Sequence, residues 1–182
     1  VLAACLPGAQ RVRREDEPVE DGWLVLGFSD NRLRLVVVRR YGRERFMGVT
    51  HGTAFVAEGA ILGHAVQIMA GAIIQPGARL GDFAIINTGA QIDHDCVVGD
   101  YAFIAPGAVL LGGAKVGRFA FVGANATVLL GHEVGEDAIV GAGAVVTRDL
   151  PPRCVAYGNP ARVMRMKRPE ELSVDAQEAA DR

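Results

Sequence analysis

The sequence predicts an all-β chain, a parallel β-helix of hexapeptide repeats, and three columns of residues predict it. From Val56 an aliphatic residue returns at every sixth position, through Ile68, Ile86, Ile104 and Val122 among others to Val146, sixteen hexads without a break. Four places after each aliphatic stands a small residue, mostly Ala, with Val66 and Cys96 as near equivalents and only His132 and Leu150 breaking the column. Three places after each, twelve of the sixteen positions are Gly, Asn or Asp, the residues that tolerate the left-handed backbone of a tight corner. An α-helix of period 3.6 cannot carry a strict six-residue repeat with Gly and Pro inside it.

Each hexad is therefore a short strand and a corner. Gly63, Gly81, Gly99, Gly117 and Gly135 recur every 18 residues, so three hexads close one turn and successive turns stack as parallel strands about 4.8 Å apart. The aliphatic column points into a narrow triangular core and the small residues fit where the corners pinch it. Residues 53–152 form this β-helix domain, with about five coils. Residues 1–52 form a small α/β segment. Within it Trp23 to Phe28 reads as a strand, Asn31 to Tyr41 as a helix with Leu33, Val36, Val37 and Tyr41 on one side, and Phe46 to Thr50 as another strand. Arg11 to Asp21 is charged and solvated. Residues 153–182 form a C-terminal extension: Pro151-Pro152 stops the coils, Arg153 to Met166 folds back, and the polar tail from Lys167 is a surface helix or disordered.

Composition narrows the function classes. A net charge of −2 with no block of Lys and Arg excludes an electrostatic grip on nucleic acid, which needs clustered cations. No apolar run is long enough to span a bilayer. Cys5, Cys96 and Cys154 are odd in number and lack CxxC spacing, so neither a disulfide framework nor a zinc knuckle is indicated and a reducing cytoplasm fits. Leu2-Ala3-Ala4-Cys5 looks like a lipoprotein cleavage site only superficially; no charged and apolar stretch precedes it, and it reads as part of an amphipathic helix. The chain opens on Val1 rather than Met, which leaves room for residues upstream.

A filled β-helix has no internal cavity, so a ligand binds outside it, most economically between two such prisms. The outward column Ile85, Phe103, Phe121, Ile139 is a candidate contact face. His94 stands at a corner, two places after Ile92, with its side chain outward. Eighteen residues on lies Gly112, followed by Gly113. An exposed imidazole beside a side-chain-free patch suits acyl transfer: a base of pKa near 6.5 to take a proton from an amine, room for a pantetheine arm, and backbone N–H groups at Gly112 and Gly113 for an oxyanion. Asp93 and Asp95 flank the ring and are placed to raise its basicity. A single surface histidine is more often merely solvated, and Asp95 occupies a turn slot that favours Asp for local reasons. His132 reads as a local distortion or an outward-turned corner, His51 and His64 as solvated, and Cys96 as an inert core thiol.

The run Ile86-Asn87-Thr88-Gly89-Ala90, followed by Asp93-His94-Asp95-Cys96 and Ile104-Ala105-Pro106-Gly107-Ala108, resembles the hexapeptide-repeat sugar O-acyltransferase family. That family includes the sialic acid acetyltransferases and the N-acetyltransferases that make bacillosamine and perosamine derivatives. The resemblance covers roughly residues 23–165 and implies a left-handed coil, a homotrimer, and acetyl-CoA lying between neighbouring subunits with no metal. It implies transfer of the acetyl group to the amine of a nucleotide-linked amino sugar, with His94 as general base and Asp95 raising its basicity. It assigns Ala124 and Ala142 to the cofactor through backbone groups, and Asn159 of Gly158-Asn159-Pro160-Ala161 to the end of the cofactor groove. Asn87 is implied to touch substrate, as are Asp30 and Asn31 in the segment Gly27-Phe28-Ser29-Asp30-Asn31-Arg32-Leu33-Arg34.

Two departures stand out. Many members carry a second, cofactor-contacting histidine where this chain has Phe103, so an apolar contact replaces a hydrogen bond there. The Gly-rich strand-turn-helix that usually opens the sugar-nucleotide segment is absent from this sequence: either it lies upstream of Val1 or it has been pared down. O-acetylation of a sugar hydroxyl is the nearest rival reading, and a trimeric scaffold without activity is another. A metal enzyme of the γ carbonic anhydrase type requires a histidine pair five residues apart, which this chain lacks.

Overall fold

The computed structural model describes residues 22–171; Leu2 to Cys5, Arg11 to Asp21 and residues 172–182 of the polar tail lie outside the described residues. The repeat forms a triangular parallel β-solenoid of two-residue strands. The first face stacks Val49–Thr50, Gln67–Ile68, Ile85–Ile86, Phe103–Ile104, Phe121–Val122, Ile139–Val140 and Cys154–Tyr157 in parallel. The second runs from Phe55–Val56 to Val145–Val146 and the third from Ile61–Leu62 to Glu133–Val134. Register between coils is 18 residues, as in Phe103 against Phe121 and Lys115 against Glu133.

In each strand from Phe55–Val56 to Val145–Val146 the second residue is the hexad aliphatic. Ile68, Ile74, Ile86, Ile92, Ile104, Leu110, Val122 and Val128 are wholly buried, and the alanine column packs between them. Leu62 remains exposed because it lies in the first coil, at the end of its stack among the described residues. From Gly59 to Gly143, every residue three places after an inward aliphatic has positive φ. That includes the column Ala65, Phe83, Tyr101, Phe119, whose residue types do not announce a left-handed corner.

The N-terminal segment explains this column. Ala65, Phe83, Tyr101 and Phe119 are buried in a second apolar cluster with Leu26, Leu35, Val38 and Phe46. Phe83 stacks on Tyr101 with ring centroids 4.9 Å apart, and Tyr101 on Phe119 at 5.2 Å. The corner carbonyls there are met by the helix Asn31–Tyr41: Arg34, fully buried, donates to the carbonyls of Phe83 and Tyr101 and to Asn31 Oδ1, and Asn31 Nδ2 donates to the Phe119 carbonyl at 2.8 Å. Burial lowers the Arg34 pKa to about 10. The helix bounds match the sequence expectation, and of the expected face Val37 and Tyr41 pack on this cluster but Leu33 and Val36 do not. Leu35 and Val38 are buried while Leu33 and Val36 are exposed, because seating Arg34 on the corner fixes the rotation of a helix whose apolar residues lie on more than one side.

Other flank expectations also change. Trp23 to Phe28 is not a strand; one parallel bridge, Leu24 to Phe46, holds it, with Gln67 Nε2 donating to the Leu26 carbonyl at 2.8 Å. Of Phe46 to Thr50 only Val49–Thr50 is a strand, and it pairs with Gln67–Ile68, so the first face begins one hexad before Val56. Pro151-Pro152 does not end the stack either. Leu150 bridges Val134 and Ala156 pairs with Val140, so a last, shortened coil brings the solenoid to about six turns. Arg153 to Met166 folds back as expected, with Arg162–Met166 antiparallel to Cys154–Tyr157. Lys167 Nζ lies 2.7 Å from Asp137 Oδ1 in a buried ion pair that pins this extension to the last coils. No helix among the described residues is long and apolar enough to cross a membrane.

Candidate active site

The coil-to-coil ladder leaves no acceptor for the N–H of the residue two places after each inward aliphatic, the shoulder of the corner. Side chains take over that duty at several corners. Asp82 Oδ1 accepts from His64 N, Asp100 Oδ1 from Asp82 N, and Asn87 Oδ1 from Thr88 N. On the edge between the second and third faces, Asp93 does it twice. Oδ1 accepts the His94 N–H at 2.8 Å, and Oδ2 accepts the N–H of Gly112, one coil above, at 3.1 Å. This clamp fixes the backbone that carries the imidazole.

His94 points outward as expected, its side chain 58% exposed. Its Nδ1 lies 3.0 Å from Asp95 Oδ2, and Asp95 has φ 59, the left-handed corner expected for it. The hydrogen bond that His94 donates to Asp95 and, after it, the charge of Asp93 hold the His94 pKa above the ordinary imidazole value. With Nδ1–H donated to a carboxylate, Nε2 is the free lone pair, the tautomer a general base requires. The ring lies across the bare backbone of Gly112: a Cβ there would stand 2.5 Å from Nε2 and 2.6 Å from Cε1.

The structure corrects the roles expected for the two glycines. The Gly112 N–H is donated to Asp93 and the Gly113 N–H to the His94 carbonyl at 2.9 Å, so neither is free to meet an oxyanion in this arrangement. Gly113 serves the corner itself, with φ 69.

The remaining expected site residues lie elsewhere. Asn87, Ala124 and Ala142 are on the edge between the first and second faces, six extended residues and on the order of 15 Å from the His94 edge. Among the described residues no acceptor meets the N–H of Ala124 or Ala142, so both can donate to a bound amide or carbonyl. Phe103 stacks on Phe121 with centroids 5.3 Å apart and is buried with Ile85 and Ala105, which leaves it little surface for a cofactor in a single chain. Asn159 is exposed beyond Cys154–Tyr157. Asp30 and Asn31 have structural work: Asp30 Oδ1 caps the helix by accepting from Leu33 N at 3.0 Å, and Asn31 holds the Phe119 carbonyl.

The other histidines stand apart from this edge chemistry or have local partners. His132 turns outward, the second of the two expected alternatives, with Nδ1 3.2 Å from Asp149 Oδ1. His51 Nδ1 meets Thr53 Oγ1 at 2.9 Å. His64, expected to be solvated, is half-buried against the edge of Phe83 with Nε2 3.0 Å from the Arg43 carbonyl. Cys96 is a core thiol whose pKa burial pushes up to about 11. No group of three or more His, Cys, Asp or Glu side chains that could hold a metal ion occurs among the described residues.

Asp93 as a backbone clamp and the Phe83–Tyr101–Phe119 column are the features that sequence reasoning missed. The signal for the second was available: the non-Gly, non-Asn, non-Asp residues in the corner slot recur every 18 residues.

Comparison with known proteins agrees with this geometry. The family model for the bacterial transferase hexapeptide (six repeats) matches residues 78–112 and 95–130, and that for the hexapeptide repeat of succinyl-transferase matches residues 113–148. No curated protein sequence matches the chain. Among solved structures, perosamine N-acetyltransferase (PerB) from Caulobacter crescentus, in complex with CoA and GDP-perosamine, is 42% identical. The match covers 79% of this chain and 70% of that one with a TM-score of 0.76. The acetyltransferase domain of PglB from Neisseria gonorrhoeae is 33% identical over 78% of this chain and 70% of its own, TM-score 0.75, and is also known in complex with acetyl coenzyme A. WeeI from Acinetobacter baumannii is 25% identical over 82% and 74%, TM-score 0.77. With an imidazole–carboxylate dyad on the edge of the solenoid and this identity over most of both chains, the protein is an acyltransferase and belongs to the hexapeptide-repeat family of sugar N-acetyltransferases.

Proposed function

We propose that the protein transfers the acetyl group of acetyl-CoA to the amino group of a nucleotide-linked amino sugar. The observation that carries this reading is the exposed dyad, with His94 Nδ1 tied to Asp95 and Nε2 open. Nε2 accepts a proton from the sugar amine as its nitrogen attacks the thioester carbonyl. A C–N bond forms, the C–S bond breaks, and the thiolate of CoA leaves and is protonated by the imidazolium. The raised pKa strengthens the base, and Asp95 stabilises the charge that develops on the ring.

The cosubstrate fits the edge between the first and second faces, where the N–H groups of Ala124 and Ala142 are free for the amides of a pantetheine arm. Phe103 offers its remaining edge as an apolar contact, and Asn159 lies toward the far end of the same groove. Because that edge and the His94 edge are a full side of the prism apart within one chain, a complete site takes one edge from each of two chains. A homotrimer meets this requirement with three equal sites. Asn87 is the polar side chain we assign to the sugar; Asp30 and Asn31 support it indirectly by seating the N-terminal helix. The GDP-perosamine held by the Caulobacter relative makes a nucleotide-linked 4-amino sugar the first substrate to test. We place the reaction in the cytoplasm, as a step in polysaccharide assembly.

The test is steady-state acetylation of a panel of nucleotide amino sugars and their hydroxyl-only counterparts. His94→Ala should lower kcat by 10²- to 10⁴-fold, the usual contribution of a general base, with acetyl-CoA binding retained in titration calorimetry. Normal turnover by His94→Ala would refute the mechanism. Turnover of the hydroxyl sugars alone would replace N- by O-acetylation, and no heat with acetyl-CoA would leave only a scaffold.

A further inference from the structure

We propose that Gly112 is a positioning residue for His94: its missing side chain is the bed on which the imidazole lies, and no other demand of the fold requires glycine there. The inference rests on the reading of His94 as the base, and deepens it.

Three observations carry it. First, the shoulder position tolerates almost anything elsewhere in the solenoid. Between Glu58 and Arg148 it holds Glu, His, Ala, Pro, Asp, Thr, Arg and Leu, and glycine once, at Gly112. Ala124 and Ala142 occupy the same slot on another edge with the same ladder around them. Second, the backbone of Gly112 does not lie in the left-handed region, so its conformation is open to any residue. Third, the three atoms nearest a Cβ placed at Gly112 all belong to the His94 ring: Nε2 at 2.5 Å, Cε1 at 2.6 Å and Cδ2 at 3.2 Å. By contrast the nearest atom to a Cβ at Gly99, Gly117 or Gly135 is backbone of the next coil, and glycine there answers to stacking.

The nearest obstacle to a methyl group at position 112 is therefore the imidazole, and that obstacle can swing away. The coil stays intact and the ring moves. Moving it breaks the 3.0 Å contact between Nδ1 and Asp95 Oδ2 and sets a methyl where Nε2 must receive its proton. The underside of the dyad has a matching feature, since a Cβ at Gly77 would strike Asp95 Oδ1. Gly77 has φ 75, which favours glycine by itself, so Gly112 carries the argument.

The decisive measurement is the titration of His94 in Gly112→Ala, followed by NMR at its Cε1–H on the unliganded protein. The midpoint should fall from its raised position toward that of an ordinary exposed imidazole, and acetyl transfer should drop by roughly 100-fold or more. An unchanged His94 midpoint in Gly112→Ala would overturn the proposal. Should the variant prove too unstable to titrate, the thermal double-mutant cycle decides. Gly112→Ala introduced into His94→Ala should leave Tm unchanged, because the obstacle is gone. A Tm loss that persists there would show that the methyl strikes the coil itself, and would also overturn the proposal. Failure of the base reading looks different: His94→Ala would then turn over normally whatever Gly112→Ala does to the titration.

Discussion

Replacing Ile104 by Ala tests the inward column that the whole solenoid depends on. Ile104 is fully buried, between Ile86 in the coil below and Val122 in the coil above. Removing about three methylene equivalents costs roughly 2.4 kcal/mol in transfer free energy at about 0.8 each. The void adds to this, because the backbone around it cannot close. Phe103 N is tied to Ala120 O, Ala105 N to Val122 O and Asn87 N to Ile104 O, each at 2.9 Å. With most of the vacated volume retained, a cavity contribution of about 1.5 kcal/mol brings the total to about 4 kcal/mol, inside the range for buried aliphatic truncations. Leu62→Ala removes a comparable side chain from the same repeat position, but Leu62 is 41% exposed in the first coil, so about 1 kcal/mol is expected there. Urea unfolding followed by far-ultraviolet circular dichroism, at one fixed protein concentration so that any association weighs equally on both variants, measures both. If Ile104→Ala cost no more than Leu62→Ala, the assignment of a rigid, ladder-held core would be refuted.

Four further outcomes are expected. Asp95→Asn should lower the His94 pKa, since the hydrogen bond donated to the Asp95 carboxylate is the largest cause of its elevation; because the base acts when neutral, the rise of kcat/KM with pH should move to lower pH, read from the pH–rate profile. The same elevation gives folding a contribution present at low pH and lost as pH rises through the folded His94 pKa, so the Tm difference between wild type and Asp95→Asn should shrink above that point. Lys167→Met should cost roughly 3 kcal/mol, the low end for breaking a buried ion pair, and should speed amide exchange in the Arg162–Met166 strand. The Cys96 thiol, buried and with its pKa pushed up to about 11, should resist Ellman's reagent at pH 8 in the folded protein and react once it unfolds.

The repeat was legible because each slot of the hexad has one physical requirement: an aliphatic to fill the axis, a small residue for the pinched corner, a residue tolerant of positive φ for the bend. The dyad was legible for the same reason, since fixed spacing puts His94 beneath Gly112. What the sequence concealed lies where two systems meet. The rotation of the helix Asn31–Tyr41 depends on Arg34 finding carbonyls from two different coils, a contact between residues far apart in the chain that no local period encodes. The hydrogen-bond duties of Asp93 and of the Gly112 and Gly113 amides depend on rotamers and on register between neighbouring coils. The last coil was missed because its spacing contracts from 18 to 16 residues, Val134 to Leu150 and Val140 to Ala156, which breaks the rule used to count.

The three edges of the prism bear different burdens, and this constrains how copies can associate. One edge is roofed by the N-terminal segment through the Phe83–Tyr101–Phe119 column, so two edges are left to receive neighbours. One offers the imidazole and the other offers unclaimed amides, so like cannot productively meet like. An association of the kind proposed above would be head-to-tail, and head-to-tail contacts escape becoming open filaments only by returning to their starting point. Ring closure in the proposed homotrimer would thus equalise the numbers of donors and acceptors of chemistry, and dilution that opens the ring should extinguish every site it separates while leaving each coil folded.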